Sequence, residues 1–161
     1  MGNVIELIHP FPEAALPRVW RWVEASRDRV ADDFFVKTLD DFIAEWDRLA
    51  ARGRMSWAVA SDGHIGGVIT AERTGGIAFD LHCVFSRDFY GHQSTVQALD
   101  LVIDQIFTPA PNGCGAEKIS TMAFADNLSL SGIVRKLGGT REGLQHGQTR
   151  RGGVLVDVVL L

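Results

Sequence analysis

Residues 126–143, DNLSLSGIVRKLGGTREG, constrain the fold more than any other stretch of this chain. Asn127 is a good helix N-cap, because its side-chain oxygen can take a backbone N–H that the first turn leaves unpaired. Leu130, Ile133, Val134 and Leu137 follow at i, i+3, i+4 and i+7, which puts them on one helical face. Lys136 falls in the last turn, where the helix dipole favours a cation, and Gly138 can take the positive φ of a helix stop. Thr140-Arg141-Glu142-Gly143 then reads as the start of a strand. A short amphipathic helix, a glycine stop and a strand are therefore written into one contiguous segment.

Upstream, the period alternates between helix and strand. Residues 4–9 form a first short strand, broken by Pro10 and Pro12. Leu16, Val19, Trp20 and Val23 predict a helix over 13–26. Thr38 can cap a second helix, with Asp40 and Asp41 in its first turn, a stripe of Leu39, Phe42, Ile43, Trp46 and Leu49, and a stop at Gly53. Three consecutive strands follow at 55–61, 64–73 and 76–85, with Asp62-Gly63 and Gly75-Gly76 as turn signals between them. Helical spacing returns at 94–107, where Leu99, Val102, Ile103 and Ile106 face inward. A Pro/Gly-rich loop leads to a strand at 118–124, then to the helix of the opening segment, a strand near 140–148 and a final strand, VLVDVVLL. The order β-α-α-β-β-β-α-β-α-β-β implies an α/β chain with a mixed sheet and helices on both faces. Without an internal repeat or linker, residues 1–161 read as a single domain.

Composition excludes several function classes. A net charge of −4 argues against broad nucleic-acid binding, although Arg135, Lys136, Arg141, Arg150 and Arg151 gather late in the chain. At 46% hydrophobic and 22% charged, the sequence has the balance of a soluble globular domain. No apolar run reaches membrane-spanning length, and MGNVIELIHPF lacks the features of a signal peptide, so a cytoplasmic location is expected. Cys83 and Cys114 have no metal-ligand spacing and leave a single disulfide open. No metal is implied.

With these elements in place, the chain resembles the GNAT superfamily of acetyl-CoA-dependent N-acyltransferases, nearest the subgroup of ribosomal-protein N-terminal acetyltransferases. Residues 127–138 stand in the register of that family's N-x-x-[SA]-x-x-x-x-x-K-x-G pattern, with Asn127, Lys136 and Gly138 in place. Lys136 through Gly143 and the strand Gly153 through Asp157 stand where the subgroup has K-L-G-F-x-x-E-G and G-x-x-x-D, with Gly139 in place of Phe. The resemblance covers nearly the whole chain and implies acetyl transfer from acetyl-CoA to a primary amine, either a small molecule or a peptide N-terminus.

It also implies site residues. Cys83, Val84 and Phe85 would expose main-chain groups to the pantetheine arm, and Asn127 would hydrogen-bond the donor or substrate amide. Tyr90, Gly91, His92, Gln93, Ser94 and Thr95 occupy the six positions of the pyrophosphate loop, [QR]-x-x-G-x-[GA] in the family. Tyr90, Gln93 and Thr95 depart from that pattern; Ser94 and Thr95 retain hydroxyls that could cap the helix or reach phosphate. Val134 stands where many relatives place a proton-donating Tyr. Asp80 and His82 share one face of an otherwise apolar strand, where some relatives carry a catalytic Glu. Asp80 is then the proton acceptor, with His82 as a second polar group; a mutual Asp–His hydrogen bond is the bland alternative. Phe34 and Phe35, after Asp32-Asp33, fall in the segment that lines the acceptor site in relatives. A GNAT-like binding or assembly module without catalysis, and transfer of another acyl group, both stay open. So does a homodimer through the apolar C-terminal strands.

Overall fold

The computed structural model describes residues 4–32, 36–89 and 93–161. Its strands are β1 (Ile5–Ile8), β2 (Met55–Ser61), β3 (His64–Arg73), β4 (Ala78–Phe85), β5 (Lys118–Ser120), β6 (Met122–Phe124), β7 (Gly143–Arg151) and β8 (Val154–Leu160). The helices are α1 (Leu16–Ala25), α2 (Leu39–Ala51), α3 (Gln93–Phe107) and α4 (Leu128–Lys136). The predicted order holds, with one addition. The strand expected over 118–124 divides at Thr121 into β5 and β6, which belong to different sheets.

The first sheet runs β1-β2-β3-β4-β5 and the second β6-β8-β7. The β1–β4 neighbours are antiparallel, and β4–β5 is parallel, joined by the α3 crossover. Asp62 and Gly63, with φ of 50° and 76°, make the tight β2–β3 turn that the Asp-Gly pair announced.

Period-2 alternation sorts the first sheet into two cores. Trp57, Val59, Ile69, Phe79, Leu81 and Phe85 pack against Leu99, Val102 and Ile106 of α3, with Ile133 of α4 and Leu137 just past its end alongside. A part-buried hydrogen bond from Trp57 Nε1 to Gln105 Oε1, 2.9 Å long, pins α3 to β2. On the opposite face Ala58 and Val68 meet Phe11, Leu16, Val19 and Trp46, with Val84 at the margin. The helices thus cover both faces, as expected.

Three boundaries and contacts differ from the sequence reading for identifiable reasons. The first helix begins with a 3₁₀ turn at Glu13–Ala15, and the α-helix starts only at Leu16, with Pro17 in the first turn where a missing N–H costs nothing. β7 extends to Arg151 because the Asp157 carboxylate takes the Gly147 N–H at 2.8 Å and carries the hairpin across a register shift between Gln145 and Thr149. The apolar C-terminal strand is not an edge: β8 lies between β6 and β7, so Val158, Val159 and Leu161 are apolar because they are buried. Cys83 and Cys114 are both free thiols. Among the described residues, no helix is long and apolar enough to cross a membrane.

Candidate functional site

β4 is the element on which a site can be built. It pairs with β3 from Phe79 to Phe85, but with β5 only over Ala78, Phe79 and Asp80. Beyond Ser120 the neighbouring chain turns away. Thr121 exchanges two 3.0 Å backbone hydrogen bonds with Leu161, and β6 then joins the second sheet. The two sheets splay into a fork, and among the described residues, 81–85 of β4 have no strand partner on the side of the gap. An open strand edge is a template for an extended ligand rich in amide groups. Cys83, Val84 and Phe85 lie along this edge. Burial pushes the Cys83 thiol up to about 11, so at neutral pH it stays protonated and is a poor nucleophile.

Asp80 and Ser120 are the last registered pair before the strands part. The Ser120 hydroxyl donates a short hydrogen bond to Asp80 Oδ1. Asp80 does not bond to His82, which is exposed and lies cross-strand from Thr70. On the other side of Asp80, directly across β3, stands Glu72. Glu72 is already engaged: Arg54 approaches it at 3.6 Å and also stacks over the Trp46 ring, 4.7 Å from the centroid. Burial of Arg54 lowers its pKa, with Glu72 pulling the other way. Asp80 is therefore the carboxylate at the fork that no cation neutralises among the described residues, and its Oδ2 carries no hydrogen bond there.

The connection from β4 to α3 is seated by two glycines. Gly66 is the extra residue of a β-bulge, since Val59 pairs with Gly67 and Ala60 with Ile65. Its carbonyl accepts the Ser86 N–H at 2.8 Å, and the Phe89 ring lies where a Cβ would stand. Gly67 leaves the same kind of space for Phe85. The buried Thr95 hydroxyl donates to the Phe89 carbonyl at 2.6 Å, so it closes the loop from inside. Gln93 opens α3 on the exposed side, with Ser94 half-buried beside it. Tyr90, Gly91 and His92 lie outside the described residues, as do Asp33, Phe34 and Phe35.

α4 follows β6 and packs against the cores of both sheets, Ile133 on the first and Leu130 and Val134 on the second. Asn127 caps it as the sequence implied, its Oδ1 accepting the Leu130 N–H at 3.2 Å. The cap uses the oxygen only, so Nδ2 remains a donor. The Ser131 hydroxyl donates back to the Asn127 carbonyl. Val134 turns into the small core of Ala123, Val159 and Leu161. It also explains Gly139: a Cβ there would lie 2.5 Å from Val134 Cγ1, so the two departures from the family pattern touch one another.

The α1–α2 connection crosses toward the second sheet. Ala31 packs on Phe124 and Val158, and the Asp32 carboxylate accepts the N–H groups of Gly152 and Gly153 at 2.9 and 2.8 Å. Beside it, Arg151 forms two hydrogen bonds to Asp126 and stacks on Phe124. Sequence reasoning missed Ser120, Glu72, Arg54 and this use of Asp32. No short-range pattern marks them, because each partnership crosses strands or spans more than a hundred residues.

Neither a family model nor a curated protein sequence matches this chain. Solved structures do. A RimL ribosomal L7/L12 α-N-protein acetyltransferase in complex with coenzyme A superposes with a TM-score of 0.82 at 15% identity, over 99% of this chain and 93% of that one. RimJ of Mycobacterium smegmatis, in complex with CoA-disulfide, gives 0.81 at 16% identity, over 99% and 84%. A GNAT-family acetyltransferase from Bacillus anthracis gives 0.78 at 15%, over 97% and 92%. The fold of this chain is that of the GNAT acetyltransferases.

Proposed function

We propose that this protein is an N-acyltransferase that moves an acetyl group from acetyl-CoA to a primary amine on a small molecule or a peptide N-terminus. The observation that carries the reading is the β4 edge at 81–85, left without a strand partner beyond Asp80, where β5 gives way to β6 of the second sheet. An extended chain containing amides can pair with that edge as an added strand, and Asn127 Nδ2 can donate to it. In this reading the donor supplies an activated thioester. The amine nitrogen attacks the carbonyl carbon, a C–N bond forms and the C–S bond breaks, and the sulfur leaves as thiolate. Asp80 Oδ2 accepts the proton lost by the nitrogen. Glu72 is unsuited to that role because Arg54 already holds it. Direct attack is favoured over an acyl-enzyme because Cys83 is held as a thiol. RimL, RimJ and the Bacillus anthracis protein share the frame, and the first two were solved with coenzyme A or its disulfide.

Calorimetric titration with acetyl-CoA tests the donor, and mass spectrometry of amine and peptide panels then tests transfer. Saturable binding, with transfer lost roughly a hundredfold in Asp80→Asn, is the expected result for removal of a proton acceptor. No binding at millimolar acetyl-CoA would overturn the reading and leave a GNAT-like binding module.

A further inference from the structure

We propose that Ser120 is a positioning residue for acyl transfer, holding the Asp80 carboxylate at the fork in the orientation that proton acceptance needs. The inference rests on the acetyl-transfer reading and extends it to a residue outside the family pattern. Asp80 and Ser120 are registered neighbours on parallel strands, so both side chains emerge on the same face of the sheet. One step further along the chain, the strands have parted and no cross-strand donor from β5 could reach β4. Ser120 is thus the last residue of β5 able to touch the catalytic face. It spends its single hydroxyl proton on Asp80 Oδ1.

An aspartate with no partner would sample several rotamers at a half-open strand edge. The hydrogen bond selects one. It also divides the carboxylate by function: Oδ1 is occupied, and Oδ2 is left for the incoming proton. The position opposite sharpens the need. Glu72 faces Asp80 across β3, and like charges placed directly opposite destabilise a sheet pair. Arg54 answers the Glu72 charge from the far side, stacked on Trp46, so the row runs cation, carboxylate, carboxylate, hydroxyl. Ser120 is the group that steadies the outer end of that row. Orientation of a reacting group is worth large factors in rate, and a loss of order tenfold is expected when one restraint of this kind is removed.

A double-mutant cycle separates positioning from mere structural support. Wild type, Ser120→Ala, Asp80→Asn and the double variant are compared for kcat and for the KM of acetyl-CoA, with melting temperatures confirming that each is folded. Ser120→Ala should lower kcat about tenfold and leave the acetyl-CoA KM within about twofold. In the Asp80→Asn background the same substitution should change residual turnover by less than about twofold, because the group it positions is gone. Ser120→Thr keeps the hydroxyl and should keep most of the activity. Equal losses in both backgrounds would overturn the proposal, as would a Ser120→Ala enzyme with wild-type kcat. A fully active Asp80→Asn enzyme would remove the role of Asp80 and this proposal with it. Absence of any acetyl-CoA turnover in the wild type would mark failure of the underlying reading.

Discussion

Gly67→Ala is the sharpest test of how the β4 edge is supported. Gly67 lies in the middle of β3, registered with Phe85 on β4 and Val59 on β2. Its φ is not positive, so alanine is compatible with the backbone and would stabilise by about 0.4–1 kcal/mol through the unfolded chain. The space is the obstacle. A Cβ at 67 would stand 2.5 Å from Phe85 Cε1, closer still to Cδ1, and 3.2 Å from Cγ. Carbon atoms rest at about 3.5–4.0 Å, so the ring must move by about an ångström or more. That ring is 7% exposed and set among the side chains of α3, with no free volume to take it. Overpacking costs about 1–3 kcal/mol, and contacts this short put it in the upper half, about 2–3 kcal/mol; less the full gain of about 1 kcal/mol, the net loss is about 1–2 kcal/mol. For a chain of this size the melting temperature should fall by about 2–8 °C. Thermal and urea melts measure it, and Phe85→Leu supplies the control. The double variant should lose clearly less than the sum of the singles, because the smaller side chain vacates the contested space. A Gly67→Ala protein that melts at or above wild type, or strictly additive losses, would refute the reasoning.

Two further outcomes are expected. Thr95→Val leaves the Phe89 carbonyl without its donor in a part-buried setting, which should cost about 1–3 kcal/mol in urea melts and raise the KM for acetyl-CoA through the disturbed loop. The second concerns acid. The Asp157 carboxyl is held below its usual value by the Gly147 N–H and then by His146, and Asp126 is held low by Arg151. Depressed values mean that this stabilisation is whole above the unfolded carboxylate range and is lost as pH falls through the lower folded values. The melting difference between wild type and Asp157→Asn should therefore not shrink from about pH 7 to about pH 5 and should shrink below about pH 4. A difference that shrinks between neutrality and pH 5 would contradict this account.

Much of the frame was legible because its signals are local. Three strands announced themselves by period 2 and an Asp-Gly turn, and α4 by a cap, a stripe and a glycine. The fork was not legible. KISTMAF has the pattern of one strand, and only its pairing with Leu161 reveals that it changes sheet at Thr121. The polar pair was half legible for a related reason. Asp80 and His82 share a face, but residues two apart on a strand are about 6.6 Å apart, too far for a short aspartate to reach. A registered neighbour on the next strand is only about 4.8 Å away, and that neighbour is Ser120. Strand order and register, which periodicity does not encode, decided the partner.

The crossing at Thr121 also has a mechanical meaning. The long ladders lie wholly to one side or the other: β1 through β4 in one sheet, β7 with β8 in the other. Segment 118–124 is the thread that passes between them, held at its midpoint by two hydrogen bonds to Leu161. α4 ties the same two sheets a second time, with Ile133 on the core of the first and Val134 on that of the second, and Lys118 of β5 pairs with Glu142 just before β7. The spacing of the sheets beside β4 is thus set by a shared strand, a shared helix and an ion pair, and Asp80 is bonded to the residue just before the crossing.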